Sequence, residues 1–204
     1  MSVLVDAVAL AAGALLVSLI ARSVRDGRAR SAAPAGSASG DEGGEPPDPL
    51  AGFPCKLGDV VVRRGERDEA WLAGALLLRE DRPVAVLFVA PEAREDRALF
   101  VRDGSMSWLT PFPDTIAPVS GEPPHAIEHR GTTFERRRRL PVHVERLGDG
   151  APHVGDSAVL GEYSGLGVER LVVIVGTDAV RAWHGVALSE DDYDVLPGSQ
   201  STLE

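Results

Sequence analysis

The sequence predicts a mostly β domain carried behind one N-terminal transmembrane α-helix. Three observations support this. Residues 3–21 form an apolar stretch whose only charge is Asp6. A segment rich in Gly, Pro, Ser and Ala, "SAAPAGSASGDEGGEPPDPLAG", follows it. Beyond Phe53, short runs of Val, Leu, Ile, Phe and Trp alternate with turn residues and show almost no 3.6-residue periodicity.

At about 1.5 Å rise per residue, a helix over residues 3–21 matches a hydrocarbon layer of about 30 Å. Arg22, Arg25, Arg28 and Arg30 come after the apolar run, and no Lys or Arg precedes it. A secretory signal carries its positive charge ahead of the apolar stretch, so this charge order argues against cleavage. A buried helix of a soluble fold is the other competing reading. The next segment opposes it, because it lacks the bulky apolar residues that would order it against a core. The positive-inside bias places the arginine side in the cytoplasm. The expectation is a single-pass protein of the cell membrane, with its N-terminus outside and its C-terminal domain cytoplasmic. Residues 1–21 would form the helix and residues 22–52 a basic flank and disordered linker. Residues 53–198 would form the β-rich domain and residues 199–204 a disordered tail. As a flexible coil, some 22 linker residues hold a domain on the order of 25 Å from the bilayer.

Within the domain, "LFVRDGSMSWL" is the clearest hairpin, since Asp103-Gly104 supplies the positive φ angles of a two-residue turn. "LLLREDRPVAVLFVA" and "LVVIVGTDAVRAWHGVAL" each read as two strands around a polar turn. Pro111, Pro113, Pro118, Pro123 and Pro124 make the middle stretch a loop between two parts of the sheet system. The predicted architecture is antiparallel, either a sandwich or a partly open barrel. An offset of 97 residues aligns Gly58-Asp59 with Gly155-Asp156, Asp81 with Asp178 and Val89-Ala90 with Val186-Ala187, which suggests two similar halves.

The chain of 204 residues carries a net charge of −10 and one cysteine, Cys55, so no internal disulfide forms. Residues 53–146 hold 15 Lys or Arg against 15 Asp or Glu, whereas residues 147–204 hold 2 against 10. An acidic surface of this kind repels phosphate backbones and disfavours a nucleic-acid partner.

"LGDVV" at Leu57 to Val61, "GTTFERRRRLPVHV" at Gly131 to Val144 and "WHGVAL" at Trp183 to Leu188 together resemble the bacterial domain of unknown function 4178. The resemblance covers Lys56 to Gly198. It implies a β-rich bacterial domain and brings no reaction, cofactor or catalytic residue with it.

Two polar motifs could carry chemistry. His125, Glu128 and His129 fit the H-x-x-E-H pattern of inverted zinc peptidases, in which two histidines on one helical face hold the metal beside a general base. Between Pro123-Pro124 and Gly131 there is room for barely a turn and a half of helix, so a polar loop with two incidental histidines is the competing reading. The second motif is the run Arg136, Arg137, Arg138 and Arg139. Strand alternation sends Arg136 and Arg138 to one face and Arg137 and Arg139 to the other. The run then either pairs with local acids such as Asp191, Asp192 and Asp194, docks on anionic lipid or an acidic protein partner, or binds nucleic acid. No nucleophile elbow or phosphate-binding glycine loop is present, and no cofactor is expected. The functional expectation is a membrane-tethered cytoplasmic binding or scaffolding module. The alternatives are a zinc-dependent hydrolase built on His125, Glu128 and His129, or a structural envelope component.

Overall fold

The computed structural model describes residues 48–91 and 96–198, which belong to one compact unit. The expected transmembrane helix, residues 22–47 of the flank and linker, and the tail at 199–204 lie outside the described residues. Among the described residues no helix is long and apolar enough to cross a membrane.

Twelve strands make up the described fold. They are β1 (Val60–Arg63), β2 (Glu69–Trp71), β3 (Gly74–Arg79), β4 (Pro83–Ala90), β5 (Arg97–Arg102), β6 (Ser105–Pro111), β7 (Ala126–His129), β8 (Thr132–Gly148), β9 (Ser157–Ser164), β10 (Glu169–Gly176), β11 (Val180–Leu188) and β12 (Tyr193–Leu196). Eight of them hydrogen-bond in the order β3-β4-β5-β6-β11-β10-β9-β8, and β3 pairs with β8 to close the ring. All these pairings are antiparallel. The architecture is therefore a closed eight-stranded barrel, neither the sandwich nor the partly open barrel of the sequence reading. Closure removes the open edges that an unpaired sheet of this length would expose.

The barrel interior is packed. Leu76 and Leu78, Ala85 and Leu87, Phe100, Leu109, Val142 and Val144, Leu160, Val172, Ile174 and Trp183 point inward from all eight strands into one cluster. Side chains filling a barrel of this strand number are its expected geometry. Two outer faces are covered as well, which explains why β3, β4 and β10 read as continuous apolar runs. A three-stranded sheet in the order β12-β1-β2 packs Val61, Ala70 and Val195 over Leu77, Val86, Phe88 and Leu99. On the other side, β7 and the proline-rich loop place Ile127, Phe112 and Ile116 over Leu171, Val173 and Tyr163.

The domain begins earlier than Phe53, because Leu50 is buried in the cluster under the three-stranded sheet and Asp48 pairs with Lys56. The 97-residue offset is also superseded. It superposes β3–β4 on β10–β11 with their faces exchanged, since Ala85 packs in the barrel interior and Ala182 on its outside. The topology instead gives two four-stranded meanders, β3–β6 and β8–β11, joined through β3–β8 and β6–β11. Equivalent strands then start at Pro83 and Ser157, Arg97 and Glu169, and Ser105 and Val180, offsets of 72 to 75 residues.

The turns follow backbone chemistry. Asp103 and Gly104 adopt φ of 49° and 77°, the two left-handed residues of a type I′ hairpin. Arg130 and Gly131 repeat this with 48° and 81° between β7 and β8.

Candidate functional site

At one end of the barrel, where β6 finishes and β11 starts, a cleft of about 460 Å³ opens between the proline-rich loop and the barrel wall. Its apolar surface comes from Val89, Phe112, Ile116, Val180 and Trp183, and Arg181 and Asp114 add charge at the rim. Clefts that bind small molecules have this size and this mixture of an apolar floor with a few polar groups. A second groove, larger at about 870 Å³, runs past Arg79–Asp81 and Pro141–His143, but it is more open to solvent.

The loop wall of the cleft is held by a histidine. His129 is the inward-facing end of β7 and is 9% exposed. Its Nδ1 lies 2.5 Å from Asp114 Oδ2, so the loop carboxylate and the strand imidazole fix one another. Phe112 lies against the same ring at 4.7 Å between centroids and tilted by 55°, and His184 of β11 lies 5.3 Å from it. His184 in turn contacts Thr110 Oγ1 at 3.4 Å. His129 Nε2 is buried without a hydrogen-bond partner. A carboxylate-oriented imidazole resembles the second-shell arrangement of metal and acid-base sites. Here it ties the loop to the barrel, and Asp114 and Phe112 line the cleft as a result.

The helix that the H-x-x-E-H pattern requires does not form at these residues. Glu128 and His129 lie on β7, an extended strand paired to β8, and His125 immediately precedes it, so the motif is not on a helix. Four residues along a strand separate His125 from His129 by about 13 Å, and alternation turns Glu128 to the opposite face. His125 sits 3.0 Å from the Arg136 guanidinium, and Glu128 is exposed. No group of three or more His, Cys, Asp or Glu among the described residues is arranged to hold a metal ion.

The arginine run is dispersed. A register shift between Arg136 and Arg138 makes Arg137 a bulged residue, so the four side chains do not alternate as the sequence reading assumed. Arg136 donates to the Pro123 carbonyl, and Arg137 lies 3.3 Å from Glu135. Arg138 reaches Asp103 at 3.7 Å and Glu162 at 4.0 Å, and Arg139 forms a two-pronged contact with Glu122. That contact holds the Glu122 carboxyl below its usual pKa range. Two of the three acids named from the sequence as partners for the run are engaged elsewhere, and the third, Asp191, is exposed. Asp194 accepts from Arg64, and Asp192 accepts from the backbone and hydroxyl of Ser189.

Arg102, Asp114, Glu162 and His184 were not singled out by the sequence reading. The available signal was face parity: Arg102 follows the inward residues Ala98 and Phe100 by steps of two, and Glu162 follows Ala158 and Leu160 in the same way. No local pattern marks Asp114, which meets His129 only through the fold. Cys55 is fully buried, and that burial, with Asp59 nearby, pushes its thiol pKa up to about 12. No family model, curated protein or solved structure matches the chain.

Proposed function

We propose that this chain is a binding module at the cytoplasmic face of the membrane, in which residues 3–21 anchor a rigid β-barrel whose end cleft receives the ligand. The observation that carries this reading is the cleft itself: about 460 Å³, floored by Phe112, Val180 and Trp183 and edged by Arg181 and Asp114. The packed interior leaves the cleft and the outer faces as the surfaces on which recognition occurs. The mixed rim suits a small amphipathic molecule, or the side chains of a protein segment, with its apolar part against Trp183. Each Arg in the run 136–139 has a protein-side contact, so the run contributes to the scaffold rather than to the ligand site.

The test is a fragment screen on the full chain in detergent, read by the indole N–H resonance of Trp183. Ala182 lines the cleft, so Ala182→Phe would fill it. Fragments should shift the Trp183 signal in the parent protein and lose at least about tenfold in affinity, equivalent to about 1.4 kcal/mol, in the variant. Fragments that bind both proteins equally, or that leave Trp183 unmoved, would count against the cleft as the ligand site.

A further inference from the structure

A small cavity of about 180 Å³ lies between the β7–β8 turn and the outer face of β10 and β11. It is separate from the end cleft, because no residue lines both. Its walls follow from strand register. His129 and Thr132 pair across the Arg130-Gly131 turn, which brings Arg130 beside them. On the barrel, Glu169 precedes the outward-packed Leu171 by two positions and His184 follows the outward-packed Ala182 by two, so both face the hairpin. Phe134 is buried in the same wall. A Cβ added at Gly165 would lie 2.9 Å from Glu169 and from Phe134 and 3.0 Å from Thr132, so the turn from β9 to β10 packs directly on three of the lining residues.

The His129 side chain is 8% exposed, and its Nε2 is buried with no hydrogen-bond partner. Asp114 lines the cleft and not this cavity, so the Nδ1 edge of the ring faces the loop and the other edge faces the cavity. A carboxylate at Nδ1 requires the proton there, and Nε2 of the neutral ring keeps its lone pair as an acceptor. Leaving a buried acceptor unmet costs stability that a donor on a ligand would return. Glu169 is a second acceptor, held in place by the Leu166 amide, which donates to its Oε2 at 3.1 Å. Arg130 contributes a guanidinium and Thr132 a hydroxyl. The lining thus sets two acceptors, one of them anionic, beside a cation that recognises carboxylates. A molecule that carries an ammonium and a carboxylate close together complements both, and the volume admits a small one rather than a drug-sized ligand.

We propose that this cavity binds a small zwitterionic α-amino acid, whose ammonium donates to His129 Nε2 and Glu169 and whose carboxylate accepts from Arg130 and Thr132. Asp114 is then a positioning residue for the site, since it fixes the tautomer that leaves Nε2 an acceptor. The inference does not rest on ligand binding in the cleft, and it does not require that residues 3–21 span a bilayer.

The experiment titrates the full chain in detergent with glycine, and separately with methylamine and acetate, which each lack one of its charges. Glycine should shift the Nε2 resonance of His129, assigned by its loss in His129→Asn, and leave the Trp183 indole signal unmoved. Affinities are read from the Gly131 amide in every protein. Methylamine and acetate should each bind about tenfold or more weakly than glycine, the loss expected for one charge-assisted hydrogen bond. The Asn amide places a donor where Nδ1 stood and deletes Nε2, so His129→Asn keeps the contact to Asp114 and removes the acceptor. Glycine affinity should fall about tenfold or more in that variant and in Glu169→Gln, with hydrogen exchange in residues 112–124 unchanged. If His129→Asn does loosen that loop, Glu169→Gln alone decides, because its amide oxygen still accepts from Leu166. Overturning results are an Nε2 signal that glycine does not move, a shift confined to Trp183, or methylamine or acetate binding as well as glycine. Parent-like glycine affinity in either variant would overturn the proposal as well.

Discussion

Arg102 of β5 donates to Glu162 of β9 inside the mouth of the barrel, and this pair is the centre of a four-membered ring of charge. Arg102 also reaches Asp103 at 3.3 Å, and Arg138 closes the circuit to Asp103 and Glu162. Arg102 is only 8% exposed, so these partners take the place of the water that would otherwise solvate its guanidinium. Two positions that alternation assigns to the core, the buried Arg102 and the half-buried Glu162, are thus charged, and they cap the apolar filling below them.

Removing one partner should cost more than removing both. Glu162→Gln leaves a buried guanidinium without its principal carboxylate and should lower stability by about 2 kcal/mol, whereas the double change Arg102→Met with Glu162→Leu should stay within about 1 kcal/mol of the parent. Urea titration of the three proteins measures this. Equal losses in the single and double variants would show that the ring is not an energetic unit.

The members of the arginine run should behave differently when substituted one at a time. Arg137→Gln, at the exposed bulge, should leave the melting temperature unchanged, because an exposed ion pair contributes about 0–1 kcal/mol. Arg138→Gln opens the charged ring and should lower the melting temperature. Calorimetry on the two variants distinguishes this from a uniform patch, in which both would behave alike.

Stability should fall at both pH extremes for identifiable reasons. Burial pushes Cys55 and Tyr163 up to about 12 from ordinary values of 9.0 and 10.0. Between about pH 9 and pH 12 the unfolded chain releases these protons and the folded chain holds them, so stability is lost across that interval as pH rises. Cys55→Ala should flatten the first part of this decline. On the acid side, Arg139 depresses Glu122 and Arg64 depresses Asp194. Their contribution is present above ordinary carboxylate pKa values and is lost as pH falls below about 4. Chemical denaturation across pH follows both limbs. The native Cys55 thiol should also resist alkylation until the protein unfolds.

Asp114→Ala should loosen the proline-rich loop without melting the barrel. It removes the carboxylate from His129 Nδ1, a loss of about 1 kcal/mol for a partly buried hydrogen bond. Hydrogen exchange should rise in residues 112–124 and remain unchanged in β10. Uniform acceleration across the barrel would show that the contact is part of the core rather than a clamp on the loop.

Much of the fold is legible because strand chemistry is local. The Asp103-Gly104 turn, the β3–β4 and β10–β11 hairpins and the proline-rich connection follow from residues within a few positions of one another. Closure is not local, because β3 meets β8 across some 70 residues of chain and no side-chain pattern announces the pairing. The outer coverings are hidden for a related reason: Leu171 and Val172 are buried on opposite faces by different parts of the chain, and the sequence shows only a continuous apolar run. His129 is visible as part of a motif, but its partner, Asp114, is fixed by a loop whose path no periodicity predicts. The Arg137 bulge breaks alternation within a strand, so parity counted along the run assigns the wrong faces.

Closure and filling of the barrel leave the cleft and the outer faces as its recognition surfaces. Amide hydrogen exchange along β3 tests closure directly. In a closed barrel, Ala75 to Leu78 are flanked by both β4 and β8, so all their amides should exchange slowly, close to the global unfolding limit. Protection of alternate β3 amides only, with those facing β8 exchanging as a free edge, would contradict closure and with it the placement of the site.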